Sequence, residues 1–243
     1  MKAVFGILLV LIVWHLLHFL FPSSLILPGP VETFEVFVKI LNRETFEALL
    51  STLLKGLVTT FIVIAVGLPV GFVMGISDRM YEFLRPLVTV VQAVPVVSWL
   101  VVVIFLWGIG WQGPVVISSL SLIPVAVFTT VSGVRSVDRK LLEVMKVYRV
   151  PRRTILKEVY LGSIWPFVLS ILEVSSGNVW KAVVMGEYLC GDRGLGVLIS
   201  WARQYVDVPR VYALTIFTVV LGISFERSVK VLARRVWKKW RLS

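Results

Sequence analysis

RSVDRKLLEVMKVYRVPRRTILKE, residues 135–158, carries eight Lys or Arg against Asp138, Glu143 and Glu158, and it interrupts a chain that is otherwise apolar. On either side lie Pro114–Val134 and Ile164–Gly186, each long enough for a helix rising about 1.5 Å per residue to cross a hydrocarbon layer of about 30 Å. Four more runs of this kind are Ala3–Phe21, Leu49–Ile76, Leu87–Gly108 and Val211–Phe225. The last is short and bordered by Arg210 and Arg227, so snorkelling ends are expected to complete it. With 58% apolar and 16% charged residues and a mean hydropathy of +0.91, the 243-residue chain lacks the polar surface a soluble domain needs. It reads as an all-α membrane protein of six transmembrane helices.

Charge sets the orientation. The segments on the side of the 135–158 island, including both termini, sum to +12, and those on the opposite side sum to −2. Lys and Arg are retained in the cytoplasm, which predicts cytoplasmic N- and C-termini and a cytoplasmic island. The net charge of +11 is thereby topological, and no nucleic-acid partner is needed to explain it. Lys2 before an apolar run also suits a signal peptide. That run is too long for one and no small-x-small site follows Phe21, so it is expected to stay as the first membrane helix.

Several helices carry further signals. GLPVGFVMG places Gly67, Gly71 and Gly75 four residues apart on one stripe, which favours close approach of another helix. Pro69, Pro95 and Pro124 each remove a backbone donor inside a span and favour a bend. Beside Pro95, Gln92 and Ser98 make a mildly polar patch that suits either a substrate path or plain packing. In EVSSGNVWKAVVMGE, Glu173, Gly177 and Lys181 share an i, i+4, i+8 stripe, with Asn178 and Glu187 nearby. Charges at membrane depth cost about 2.5 to 3.5 kcal/mol on insertion scales and face a cavity or a partner, so this face reads as a pathway or gate. Lys181 could instead snorkel to the headgroups, and Glu187 could be a plain interfacial residue. Asp192-Arg193-Gly194 then forms an outer turn before a short helix, Leu195–Tyr205, with Trp201 and Tyr205 at the interface. His15 and His18 share a face of the first span and suit helix packing better than a metal site. The single cysteine, Cys190, excludes an intrachain disulfide and predicts no metal centre.

The tail RSVKVLARRVWKKWR, within a basic segment of about 226–243, alternates apolar and basic residues at helical spacing and suits an anionic inner leaflet. No GxxxxGK[ST] phosphate loop, HExxH or GxSxG occurs, so no catalytic residue is assigned and the chain reads as no enzyme. Within the island, Asp138 is placed to cap a helix starting at Arg139. Leu141, Leu142, Met145 and Tyr148 give that helix an apolar face outside the bilayer, and Pro151 ends it.

The island resembles the cytoplasmic loop of membrane permeases of binding-protein-dependent ATP-binding-cassette (ABC) importers. The signature of that loop reads EAA, three residues, G, nine residues, I-x-L-P. Glu143, Val159 and Leu161 occupy the Glu, Ile and Leu positions, the alanines are Val144 and Met145, the glycine is Arg149 and the proline is Gly162. GVRSVDRKLLE, LPGPVETF, AVPVVSWLVVVIFLWGIG, WKAVVMGEYL and GLGVLI are similar to the branch handling nitrate, aliphatic sulfonates, taurine, thiamine-precursor pyrimidines or riboflavin. The likeness covers roughly residues 25–235.

The resemblance implies a type I ABC importer permease fold, with residues 1–243 as one transmembrane permease domain in a prokaryotic inner membrane and a coupling loop at about 135–163. Two copies would enclose one path, and an extracytoplasmic substrate-binding protein would deliver the substrate. ATPase subunits binding ATP and Mg would dock on Asp138, Leu141, Leu142, Glu143, Met145 and Tyr148, so no cofactor is expected in this chain. The alternative is a secondary transporter, for which the expected inverted repeat is not evident in the sequence.

Overall fold

The computed structural model describes residues 2–20, 26–137, 144–145, 147–148, 150–151, 154 and 177–241. Among these residues the chain is helical, joined by short turns: α1 (Lys2–Leu20), α2 (Pro30–Lys39), α3 (Arg43–Ile76), α4 (Asp78–Ala93), α5 (Val96–Trp107), α6 (Gln112–Arg135), α7 (177–190), α8 (Leu195–Gln204) and α9 (Val208–Arg241). Local chemistry sets many of the ends. Pro30 opens α2, where a missing N–H costs nothing. Asn42 Oδ1 accepts from the Thr45 N–H at 3.0 Å to start α3, and Ser77 caps α4 in the same way.

Each predicted span meets a helix over its described residues, which for Ile164–Gly186 are 177–186 alone, with two differences. The third, Leu87–Gly108, is a pair of helices, α4 and α5, that turn by 88° on each other. Pro95 is the cause: it lacks an N–H and holds Val94 in the extended region (φ −69°, ψ 123°), so α4 stops and α5 starts afresh. Pro69 and Pro124 lie inside unbroken α3 and α6. The sixth span extends beyond its predicted ends. It is part of the 34-residue α9, apolar enough to cross a membrane over Val208–Val231, and the basic tail continues the same helix axis. At about 1.5 Å per residue α9 outruns a hydrocarbon layer of about 30 Å by several turns.

The core is built around α6, the most enclosed of the candidate spans. On one side it meets α3 along the predicted stripe. A Cβ on Gly67, Gly71 or Gly75 would sit 2.5 Å from the Cβ of Ala126, Thr130 or Val134 in turn, so the two backbones approach as closely as glycine allows. Val63, Leu122, Ala126, Val179 and Val183 join α3, α6 and α7, and Met74, Val127 and Val131 extend the seam towards α4. At the end of the bundle opposite the island, Ile40, Trp180, Leu195, Leu198, Ala213 and Leu214 form a second cluster among α2, α7, α8 and α9. The large apolar side chains of α1 and of much of α5 and α9 point outward, as a lipid-facing surface does.

α1 is tied on at its end. Trp14 Nε1 donates to the Pro28 carbonyl at 3.1 Å, Trp14 stacks on Tyr212, and His18 Nδ1 lies 2.7 Å from the Leu27 carbonyl. His18 thus serves packing.

Candidate functional site

Glu187 decides what the far end of the bundle can do. It sits near the end of α7, one turn beyond the packed Val183, and its side chain has no exposed surface. Lys55, on the face of α3 that α7 covers, is equally enclosed, and its ammonium donates to Glu187 Oε1 at 3.0 Å. The same ammonium donates to the Arg193 carbonyl, and it lies 4.0 Å from Asp192 Oδ1. Thr52, one turn before Lys55, has its hydroxyl 2.9 Å from Glu187 Oε2 and 3.1 Å from Oε1, and that hydroxyl accepts the Leu195 N–H at 2.9 Å. The Gly196 N–H donates to Glu187 Oε2 at 3.1 Å. A carboxylate with three donors and an ammonium with two oxygen acceptors satisfy each other where water cannot.

The turn over this pair is shaped for it. Gly194 has φ +129°, a conformation that side chains rarely adopt, and a Cβ there would collide with the Glu187 carboxylate. A Cβ on Gly196 would strike the Val184 carbonyl. Asp192 and Arg193 are left at the surface and line a cleft of about 730 Å³ with Glu44, Glu47, Trp111 and Trp201.

The other residues expected on a pathway lie elsewhere. Gln92 and Ser98 are exposed on either side of the α4–α5 break. Asn178 and Lys181 are exposed on α7, and Lys181 lines an apolar groove of about 420 Å³ between α7 and α9, with Trp180, Met185, Tyr188, Gly222 and Glu226. Trp180 forms its wall, donating from Nε1 to the Thr218 carbonyl at 3.0 Å and packing on Gly222. Glu173 lies outside the described residues.

At the island's end, Arg135 closes α6 and donates to Asp78 Oδ1 at 2.8 Å, with its guanidinium 4.1 Å from the centre of the Tyr81 ring. The root of the loop is therefore fastened to the α3–α4 corner. Of the loop residues, Asp138, Leu141, Leu142 and Glu143 lie outside the described ones. Met145 is half-buried and Tyr148 exposed. The Tyr148 N–H donates to the Val144 carbonyl in a helical i→i−4 bond, and the Val150 N–H donates to the Met145 carbonyl five residues back, just before Pro151.

Sequence reasoning singled out Glu187 without its partners. Thr52 and Lys55 precede it by 135 and 132 residues, so no local spacing links them. The available signal was Lys55 itself, a cation inside an apolar span, which requires a partner of opposite charge.

Residues 67–238 match the family described as binding-protein-dependent transport system inner membrane component. Among similar proteins, the putative aliphatic sulfonates transport permease protein SsuC of Bacillus subtilis is 28% identical, over 91% of this chain and 80% of its own length. The taurine transport system permease protein TauC of Escherichia coli is 24% identical, over 88% of this chain and 80% of its own. Among solved structures, a chain of the inward-facing MetNI methionine ABC transporter superposes with a TM-score of 0.65 at 17% identity, covering 79% of this chain and 96% of that one.

Proposed function

The chain belongs to the binding-protein-dependent transport system inner membrane component family, as a permease subunit of a type I ABC importer, and from that premise we propose a fuller reading. Its substrate is a small sulfonate anion. Two copies enclose one path, with both termini in the cytoplasm, and two ATPase subunits that bind ATP and Mg drive it through the loop at about 135–163. An extracytoplasmic binding protein selects the substrate.

The observation that carries the substrate class is the similarity, along about nine-tenths of the chain, to permeases named for aliphatic sulfonates and taurine. Lys181 adds an exposed cation to a groove whose other charged lining residue, Glu226, is paired with Lys230. Support for coupling comes from the loop's root. Arg135, in contact with Asp78 and Tyr81, joins the base of the loop to the α3–α4 corner. The apolar face of Leu141, Leu142, Met145 and Tyr148 on a segment outside the bilayer needs a protein groove to cover it, and Glu143 would contact the rim.

Mild detergent extraction of the tagged chain should bring an ATPase subunit with it. In the reconstituted complex, taurine or an alkanesulfonate loaded on the binding protein should raise ATP turnover. Glu143→Ala and Leu142→Gln should each abolish that stimulation while leaving the amount of inserted protein unchanged. Turnover that both variants leave at the wild-type level would remove the loop from the coupling path.

A further inference from the structure

We propose that Thr52, Lys55 and Glu187 are positioning residues for transport: they clamp the 193–196 turn, and α8 behind it, onto α3, so that this outer end moves as one rigid body while the path opens and closes. The proposal rests on the transport reading above, and it gives these residues a positioning role.

Three observations carry it. The bonds cross three separate segments: α3 supplies Thr52 and Lys55, α7 supplies Glu187, and the turn supplies the Arg193 carbonyl and the Leu195 and Gly196 N–H groups. No two of these segments can separate without stranding a buried charge or a buried amide. Secondly, both charged side chains are wholly enclosed. In such surroundings opposite charges part only at high cost, and with neither side chain exposed the contact does not flicker as a surface ion pair does. Thirdly, the backbone of the turn is fitted to the carboxylate. Gly194 and Gly196 leave room that a single Cβ would fill, which fixes one seating of the turn.

Apolar side chains of similar size would fill the space with less desolvation. Charges in their place contribute the selection of a single docking geometry. Asp192, the other charged group facing Lys55, is 45% exposed on the cleft side and marks where the enclosed network ends. Motion during the cycle is then left to segments outside the clamp, such as the α4–α5 break.

The chain has its own reporter. Cys190 is the single cysteine, it is 2% exposed, and it lies one turn beyond Glu187 against Gly113. The complex in nanodiscs is treated with a membrane-impermeant maleimide, without nucleotide and with ATP, and the rate of Cys190 labelling is followed. A clamp that stays shut keeps the wild-type rates in the two states within about twofold of each other, whereas Lys55→Met raises both by about tenfold or more. Lys55→Arg should restore protection. Thr52→Val, which removes a hydroxyl without stranding a charge, should be intermediate and stands in if Lys55→Met does not insert. Wild-type labelling that accelerates about tenfold on ATP binding would overturn the rigid-body assignment. Unchanged protection in both inserted variants would overturn the clamp. A merely stabilising role predicts that basal and binding-protein-stimulated ATP turnover fall together in Thr52→Val; positioning predicts that the stimulated component falls alone. Absence of a copurifying ATPase would count against the transport reading, and the nucleotide-free labelling arms would still judge the clamp.

Discussion

The two ends of the bundle are each fastened by an ion pair, and the pairs are opposites. Arg135 and Asp78, at the island's end, meet at 2.8 Å with 37% and 88% of their side chains exposed. Lys55 and Glu187, at the far end, meet at 3.0 Å with nothing exposed. Between them the seam of α3 and α6 relies on glycines against Ala126, Thr130 and Val134, on apolar contacts and on a 3.0 Å hydrogen bond between Thr59 and Ser118. An exposed pair is screened and readily exchanged for water, so it holds the loop's root only lightly. An enclosed pair is costly to disturb and holds one geometry. Apolar contact cannot supply that selectivity in a bilayer, because lipid tails satisfy an apolar face as well as a neighbouring helix does.

The contrast predicts a graded response. Lys55→Met strands a buried carboxylate and should lower stability by about 3–5 kcal/mol, whereas Lys55→Met combined with Glu187→Leu should recover most of that loss. Thermal unfolding of the detergent-solubilised protein would show this, and a double variant no better than the single would mean that the two charges do not act as a pair. In the seam, Gly71→Ala forces a Cβ to 2.5 Å from that of Thr130 and should cost about 1–3 kcal/mol by overpacking. The same melting measurement serves, and a stable Gly71→Ala would show that α3 and α6 have slack at their closest approach. At the island's end Asp78→Asn should cost under about 1 kcal/mol, with the difference from wild type shrinking further in high salt. A loss as large as that of Lys55→Met would erase the distinction between the two ends.

Much of this architecture was legible because it depends on short spacings. The spans are runs of composition, the α3 seam is an i, i+4 glycine stripe, and the turn at 192–194 follows from its residues. Pro95 was legible as a bend, though whether a given proline breaks a helix was not: Pro69 and Pro124 carry the same covalent restriction and sit in unbroken helices. In the candidate site, Glu187 stood out as a charge in an apolar stretch, and Lys181 and Asn178 as polar positions on the same helix. Composition could not tell that Glu187 is wholly enclosed while Lys181 borders an open groove.

The sequence by itself determined the membrane class, the basic loop and the stripe on α3, because hydropathy, charge and helical periodicity are properties of consecutive residues. Only the tertiary structure decided that Lys55 belongs to Glu187, that Thr52 binds both the carboxylate and the turn, and that α4 and α5 part by 88°. Those outcomes depend on which distant segments are brought together, and on whether a buried charge finds its opposite there.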